Sequence, residues 1–262
     1  MKKTTSWEKS HKWYGKKVGE KGHYYHQNLI LPALIPLLAL TKDSSLIDFG
    51  CGQGILERSI PKECKYLGLD LSSSLVKEAD KRKVSKKHHF QVADLTKSYE
   101  VKESFTHGCF LLSLQNMDSF ADAILQASSK IKEGGKLVFV VNHPCFRVPR
   151  QSSWETDEQK KLQYRRVDTY RSFLKIPIQM HPGSKKEQMT YSFHFNLEDF
   201  SKALQKADLL MESITELYSP KLSSGKNAKA ENRARKEFPL FMVISTLHFP
   251  KKKKELNSKV KQ

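Results

Sequence analysis

The segment Leu46-Ile47-Asp48-Phe49-Gly50-Cys51-Gly52-Gln53-Gly54 holds the residues best suited to ligand binding. An apolar run ending in an acidic residue predicts a buried strand, and three glycines then follow at alternate positions. Glycine accepts a positive φ and leaves the backbone bare, so a ligand can lie directly against this turn. The third glycine comes one residue too early for the Gly-x-Gly-x-x-Gly dinucleotide fingerprint, and the Gly-Lys-Ser/Thr ending of a phosphate-binding loop is missing.

Two further apolar runs also end in an aspartate. The first ends at Asp70 and the second at Asp94. Asp70 follows Gly50 by about 20 residues, the distance at which an acidic residue accepts hydrogen bonds from ribose hydroxyls in nucleotide-binding sheets. A site for a nucleoside-like ligand is therefore predicted where these strands end.

Helical and strand patterns alternate along the rest of the chain. Helices are predicted over residues 29–40, 71–79, 119–131 and 197–207, and further strands over residues 106–114, 137–141, 209–217 and 238–249. Residues 137–141 are apolar without alternation, which indicates a central strand buried on both faces. Strands that alternate with helices at short spacing predict an α/β fold with a doubly wound parallel sheet.

The Asp-x-Gly-x-Gly-x-Gly spacing after a strand resembles the first motif of class I S-adenosylmethionine (SAM)-dependent methyltransferases. The Lys-Glu-Gly-Gly-Lys turn before the apolar run at 137–141 also matches that superfamily. Within it, the chain looks most like the small-molecule methyltransferases of ubiquinone and menaquinone biosynthesis. This resemblance implies a Rossmann-like seven-stranded sheet with helices on both faces and an antiparallel last strand. It also implies SAM as methyl donor, S-adenosylhomocysteine (SAH) as product, and no metal.

The resemblance assigns the cofactor contacts. Asp94 would receive the adenine amino group, and Leu95 would cover the ring. The full set of expected cofactor-binding residues is Asp48, Gly50, Cys51, Gly52, Gly54, Asp70, Leu71, Asp94, Leu95, Tyr25, Gln115 and Asn116.

Histidine and tyrosine side chains precede the first apolar helix. Small-molecule methyltransferases of the resembling type cover SAM with an N-terminal helix, so residues 1–44 are interpreted as a lid, with His23 and His26 as substrate contacts. The alternative is that these rings only anchor the helix to the core.

Asn142-His143-Pro144-Cys145-Phe146-Arg147 follows the predicted fifth strand. It resembles the Asn/Asp-Pro-Pro-Tyr/Phe motif of amino-methylating enzymes, but it lies one strand too late and lacks the second proline, so that motif is rejected. His143 becomes a candidate general base, since imidazole accepts a proton near neutrality. The alternative is a histidine that caps the strand end.

Residues 148–190 contain aromatic, basic and proline residues but no clear sheet strand, and they are interpreted as an insertion that covers the substrate. The expected substrate contacts in and just before this segment are Phe146, Arg147 and Trp154. After it, His194 is a second candidate catalytic residue. The arginines of this region favour an anionic acceptor.

The 262 residues carry a formal net charge of +18 and only four cysteines, which are widely separated. This spacing predicts neither a zinc site nor a disulfide framework and favours a reducing, cytoplasmic location. No apolar run is long enough to span a bilayer. The organisation predicted is a lid (1–44), a methyltransferase domain (45–249) and a basic disordered tail (250–262).

The basic charge leaves three functions open. The favoured one is methyl transfer to an O, N or C atom of a small molecule. Lysine clusters on one surface are also typical of nucleic-acid binding, so transfer to tRNA or rRNA remains the main alternative. A non-catalytic SAM-binding protein is the third. The sequence leaves the oligomeric state undetermined.

Overall fold

The computed structural model describes residues 7–8, 19, 22–179 and 189–250. Within these ranges the α-helices are α1 (Leu31–Leu38), α2 (Ser73–Arg82), α3 (Phe120–Ser128), α4 (Leu197–Lys206) and α5 (Ala228–Glu237). The strands are β1 (Ser45–Phe49), β2 (Lys65–Asp70), β3 (His88–Val92), β4 (Phe105–Leu111), β5 (Ile131–Asn142), β6 (Ser152–Asp157), β7 (Leu162–Val167), β8 (Leu174–Gln179), β9 (Met189–His194), β10 (Leu209–Leu217) and β11 (Phe241–His248). None of the described helices combines the length and apolarity that a bilayer crossing requires.

Seven strands form one sheet in the order β10-β11-β5-β4-β1-β2-β3. Neighbours from β5 to β3 are parallel, whereas β11 is antiparallel to both β5 and β10. The predicted seven-stranded sheet with an antiparallel last strand is thereby confirmed. Phe49 lies opposite Leu69 and Asp70 lies opposite Val92, so β1, β2 and β3 end at the same level. This register brings the glycine loop and the two aspartates to one edge.

Helices cover both faces of the sheet. On one face, Phe49, Phe110 and Phe139 stack across β1, β4 and β5, with ring centroids 4.8 and 5.4 Å apart, beneath α3 and α4. On the other face, α1 packs Leu34 and Leu38 among alternate residues of the same strands. Because β5 is buried on both faces, its sequence is apolar without alternation, as predicted.

The Lys-Glu-Gly-Gly-Lys turn predicted before the apolar run at 137–141 is an irregular part of β5 itself. Phe105 pairs with Ile131, but His107 already pairs with Lys136, so β5 accommodates extra residues at this point. Gly134 there has a φ of +71°. The predicted helix over 119–131 correspondingly ends earlier, at Ser128.

The insertion contains two antiparallel hairpins, β6–β7 and β8–β9, outside the main sheet. The sequence analysis found no clear sheet strand in residues 148–190. The strands β6 and β7 are mostly polar and half-exposed, and β8 is interrupted by Pro177. Cross-strand pairs hold the first hairpin: Trp154 lies opposite Arg165, whose guanidinium lies 5.1 Å from the indole ring.

Helix α5 was not predicted from the sequence. Ala234 is its one buried residue, so its sequence has no apolar stripe to indicate a helix.

Candidate active site

The glycine loop follows β1 directly. Gly50, Gly52 and Gly54 have φ values of +83°, +55° and +80°, a region that residues with a Cβ seldom occupy. The N–H groups of Gly50 and Cys51 both donate to the Leu69 carbonyl, at 2.7 and 2.9 Å. A Cβ on Gly50 would lie 2.3 Å from the Ser113 Cβ, so this loop also requires glycine for close approach.

The Asp70 carboxylate organises the loop from the end of β2. Its Oδ2 accepts the Gly52 N–H at 2.9 Å, and its Oδ1 accepts the Ser72 N–H at 2.8 Å. Burial raises the pKa of Asp70, while these two N–H donors act to lower it. Each carboxylate oxygen keeps a second lone pair, so Asp70 can still accept hydroxyl hydrogens.

Asp94 lies in the loop after β3. Its Oδ1 accepts the Thr96 hydroxyl at 2.7 Å, and its Oδ2 pairs with the Lys97 ammonium at 2.9 Å. Burial acts to raise the Asp94 pKa, but the Lys97 and Thr96 hydrogen bonds outweigh it and leave the pKa below its ordinary value.

These strand ends open into a cavity of about 930 Å³. Its wall runs along the carboxyl edge of the sheet from β3 to β5. The lining residues are Trp7, His23, His26, Gly50, Gly52, Asp70, Leu71, Leu75, Ala93, Asp94, Leu95, Thr96, Lys97, Leu111, Leu112, Ser113, Gln115, Asn116, Met117, Asp118, Asn142, Pro149, Lys175, Ile178 and Ser192. The N-terminal segment and the second hairpin thus both contribute to the wall.

The loop after β4 contributes a strained residue. Leu112 has a φ of +54°, and its N–H donates to the Val140 carbonyl at 2.9 Å. A left-handed backbone at a leucine is costly and is held by its surroundings, and such positions cluster at functional sites. It directs the chain into the short 3₁₀ turn Leu114–Asn116, whose Gln115 and Asn116 lie on the cavity wall.

Two kinds of comparison relate this site to known proteins. The family model of a methyltransferase domain matches residues 22–214, most of the chain. The chain belongs to this methyltransferase family. The predicted membership of the class I SAM-dependent methyltransferases and the predicted enzymatic class are thereby confirmed. No curated protein sequence gives a significant match.

Solved methyltransferase structures share the fold. A SAM-dependent methyltransferase from Mesorhizobium loti is 22% identical with a TM-score of 0.63, over 83% of this chain and 96% of its own. A putative one from Listeria monocytogenes is 22% identical with a TM-score of 0.65, over 84% and 96%. The glycopeptide N-methyltransferase MtfA in complex with SAM is 11% identical with a TM-score of 0.51, over 79% and 87%. At these identities the likeness shows the fold alone.

Four of the expected cofactor residues of this methyltransferase do not line the cavity. The buried Asp48 carboxylate accepts the Tyr66 hydroxyl hydrogen at 2.8 Å, and the Cys51 thiol lies 3.7 Å from the Gly52 carbonyl. Gly54 has a φ of +80°, and a Cβ there would lie 3.2 Å from the Phe90 ring, so Gly54 packs closely against β3. The Tyr25 ring packs against Phe241. Their roles as SAM contacts stay predictions.

The two N-terminal histidines do lie on the wall, with ring centroids 4.2 Å apart. His23 Nδ1 accepts the Tyr25 N–H at 3.1 Å. His26 is 6% exposed, and its Nδ1 has no hydrogen-bond partner among the described residues. Burial and the neighbouring His23 lower the pKa of His26 to about 4, so its imidazole is neutral at pH 7.

The candidate base His143 does not line the cavity, although its neighbour Asn142 does. Successive residues at a strand end point to opposite sides, and β5 ends at Asn142. His143 Nδ1 accepts the Cys145 N–H at 3.2 Å, so Nε2 donates to Glu216 at 3.0 Å. Burial lowers the pKa of His143, against the opposing effect of Glu216. Both ring nitrogens are engaged, which favours the strand-end alternative. The catalytic role stays a prediction.

His194 and Arg147 lie beside the main cavity and line a smaller one. His194 Nε2 donates to the Tyr170 carbonyl at 2.6 Å. Phe146 and Trp154 line neither cavity and pack against Phe238, with ring centroids 5.5 and 5.7 Å away. The contact of Phe146 and Trp154 with substrate stays a prediction.

Several wall residues were not predicted. They are Trp7, Ser113, Asn142, Lys175 and Ser192. Asn142 ends β5, and the other four lie in loops or hairpins. For Ser113 a signal existed, because a glycine as tightly packed as Gly50 requires a small neighbour. Among the described residues no cluster of three or more metal-ligating side chains occurs.

Proposed function

We propose that this methyltransferase binds SAM in the 930 Å³ cavity and transfers its methyl group to an O, N or C atom of a small-molecule acceptor. The observation that carries the proposal is the composition of the wall. One cavity joins the glycine loop and Asp70 to residues of the second hairpin, such as Lys175 and Ser192. The cofactor part and the substrate cover therefore face the same space.

The residues at the β1–β3 end fit SAM. Gly50 and Gly52 expose backbone where a Cβ would obstruct the amino-acid part of the cofactor, and Asp70 can accept both ribose hydroxyls. Asp94 offers a carboxylate for the adenine amino group. The apolar surface for an adenine ring comes from Leu71, Leu75, Ala93 and Leu95.

When bound, SAM supplies a methyl group on a positively charged sulfur that is already a good leaving group. The chain therefore has to align the acceptor in line with that methyl group and exclude water. A neutral His26 on the wall suits this task, because a protonated imidazole would repel the sulfonium. Trp7 and the second hairpin contribute surface that displaces solvent from the acceptor.

The basic surface favours transfer to RNA as the second candidate. All three lysines at positions 221, 226 and 229 are exposed. The Lys221 ammonium lies 4.7 and 5.1 Å from the ring centres of Tyr24 and Tyr25 in the N-terminal region. An RNA bound there would lie near the lid. Its affinity would fall steeply with salt, because each neutralised phosphate releases counterions.

A labelling experiment separates the two candidates. The protein is incubated with SAM carrying a tritiated methyl group, together with either the small-molecule ultrafiltrate or the total RNA of the source organism. We expect label in small molecules, unchanged by moderate salt and by Lys221→Glu, Lys226→Glu and Lys229→Glu combined. Label in RNA that the triple variant and added salt both abolish would replace the first candidate with the second.

A further inference from the structure

A second, much smaller cavity adjoins the first. Its volume is about 20 Å³, enough for one group the size of a water molecule. Gln115, Asn142, Pro149 and Ser192 line both cavities, so the small one lies beside the acceptor part of the large one. Arg147 lines only the small cavity.

Arg147, which lines this side pocket, carries a charge that no described carboxylate pairs with. Its Nη1 is buried without a hydrogen-bond partner, and its guanidinium lies 4.6 Å from the Phe241 ring centre. No acidic side chain of the described residues forms an ion pair with it, whereas Arg82, Arg166 and Arg235 each have a carboxylate partner.

The surroundings of Arg147 make this arrangement costly. Burial lowers its pKa most, nearby Arg165 lowers it further, and Tyr25 acts in the opposite direction. A guanidinium nevertheless stays protonated in proteins, and a buried charge that lacks a partner is strongly unfavourable. A ligand anion would remove that penalty.

Two more polar side chains, Gln115 and Lys175, lie on the wall of the large cavity. Gln115 Oε1 is buried without a hydrogen bond among the described residues. Because turning the carboxamide exchanges its oxygen for an NH2 group, Gln115 can accept from or donate to a ligand. Lys175 is an exposed residue on the wall of the large cavity, and its ammonium lies 4.6 Å from the Tyr191 ring centre.

We propose that the methyl acceptor carries a carboxylate, that Arg147 binds one of its oxygens in the side pocket, and that Gln115 and Lys175 flank it. This inference rests on the proposed function, since it assigns the acceptor's end of the same cavity. A space of this size accepts a single oxygen atom, and the planar carboxylate leaves its second oxygen free for the neighbouring polar groups. The remainder of the acceptor then lies in the large cavity.

The test uses full-length protein saturated with SAH and an equimolar mixture of probes. The probes are benzoate, salicylate, cinnamate and octanoate, the carboxamide of each, and phenyl phosphate. Retained compounds are separated by ultrafiltration and quantified by mass spectrometry. We expect at least one acid to be retained at least about tenfold over its carboxamide, since a hydrogen bond to a charged group is lost in the amide. Arg147→Gln should abolish that preference, Arg147→Lys should keep part of it, and exposed Arg171→Gln should keep all of it.

The outcomes distinguish this inference from the proposed function. Failure of wild-type protein to bind SAH contradicts the proposed function itself. SAH binding without any preference for acids, or with the same preference in Arg147→Gln, overturns only the carboxylate inference. Stronger retention of phenyl phosphate than of every acid also overturns it. If Arg147→Gln does not fold, the wild-type comparison of acids with amides and the Arg147→Lys variant decide.

Discussion

Asp48, the aspartate that precedes the glycine loop, has a carboxyl group whose protonation is controlled by burial. Its carboxyl is buried, Oδ2 accepts the Tyr66 hydroxyl hydrogen at 2.8 Å, and Oδ1 has no partner among the described residues. Burial raises its pKa to about 7, the Tyr66 hydrogen bond opposes this, and the Asp70 charge adds to it. Asp48 is thus a group that holds its proton in the folded state up to neutral pH.

The stability consequence has a definite sign. Between the unfolded pKa near 4 and the folded value, the folded state binds more protons, so the contribution of Asp48 to stability is lost as pH rises. We expect the free energy of unfolding of Asp48→Asn to rise relative to that of wild type as the pH increases from 4 to 8. The rise should reach about 4 kcal/mol at most. Urea unfolding of both proteins across this range measures the difference. A difference that is constant with pH would show that Asp48 ionises normally.

At the scale of elements, the glycine loop after β1 depends on close packing as well as on backbone conformation. Gly50 and Gly134 both have positive φ, at +83° and +71°. A Cβ on Gly50 would meet Ser113, whereas a Cβ on Gly134 would meet nothing within 4 Å. Alanine substitution at these two positions therefore distinguishes the cost of backbone strain from the cost of steric contact by the added Cβ.

Gly134→Ala should therefore cost only the left-handed backbone strain, about 1–2 kcal/mol, and leave SAH binding unchanged. Gly50→Ala should cost more and weaken SAH binding, because Ser113 must move and the loop with it. Thermal unfolding and calorimetry measure the two effects. Equal destabilisation by both variants, with unchanged SAH affinity, would contradict the assignment of this loop to the cofactor.

Most elements of the main sheet were predicted from their apolar pattern, whereas the hairpins and α5 were not. The ends of β1, β2 and β3 were recognisable because each apolar run stops at an aspartate or glycine, which is also why Gly50, Asp70 and Asp94 meet in space. The hairpin strands β6 and β7 have polar, half-exposed sequences, and α5 buries only Ala234. Such elements are held by cross-strand bonds and by tertiary packing, which a pattern of single residues does not reveal.

The sequence pattern also did not predict which side chains of the site face the cavity. His143 and Asn142 are neighbours in sequence, yet only Asn142 lies on the cavity wall. Which of two adjacent residues faces a cavity depends on the register of the strand, and the register was not fixed by the sequence pattern.

At the scale of the whole molecule, the N-terminal segment contacts the cofactor half at separate points. Trp7 lines the cavity, and the Glu8 carboxylate accepts the Ser72 hydroxyl hydrogen at 2.6 Å and the Ser74 N–H at 3.1 Å. The Gly19 carbonyl accepts from the Gln53 side chain at 2.7 Å. These contacts place described parts of the predicted lid over the loop and the start of α2. Of the predicted tail (250–262), residues 251–262 lie outside the described residues.

Removing residues 1–21 should leave the sheet folded but weaken SAH binding and slow methyl transfer, because a closing segment excludes water and completes a site. Removing residues 251–262 is the matched control, and we expect it to change neither. Circular dichroism checks folding, and calorimetry with SAH measures binding. Full affinity and turnover without residues 1–21 would mean that the segment is dispensable.

The central claim is that Asp70 and the glycine loop hold the nucleoside of the cofactor, and calorimetric titration of SAH tests it most directly. Wild type is compared with Asp70→Ala and with Asp80→Ala, a matched change at an exposed position of α2. Hydrogen bonds to a charged group contribute about 1.5–3 kcal/mol each, so Asp70→Ala should weaken SAH binding at least tenfold, and Asp80→Ala should leave it unchanged. Unchanged SAH affinity in a folded Asp70→Ala protein would contradict the account.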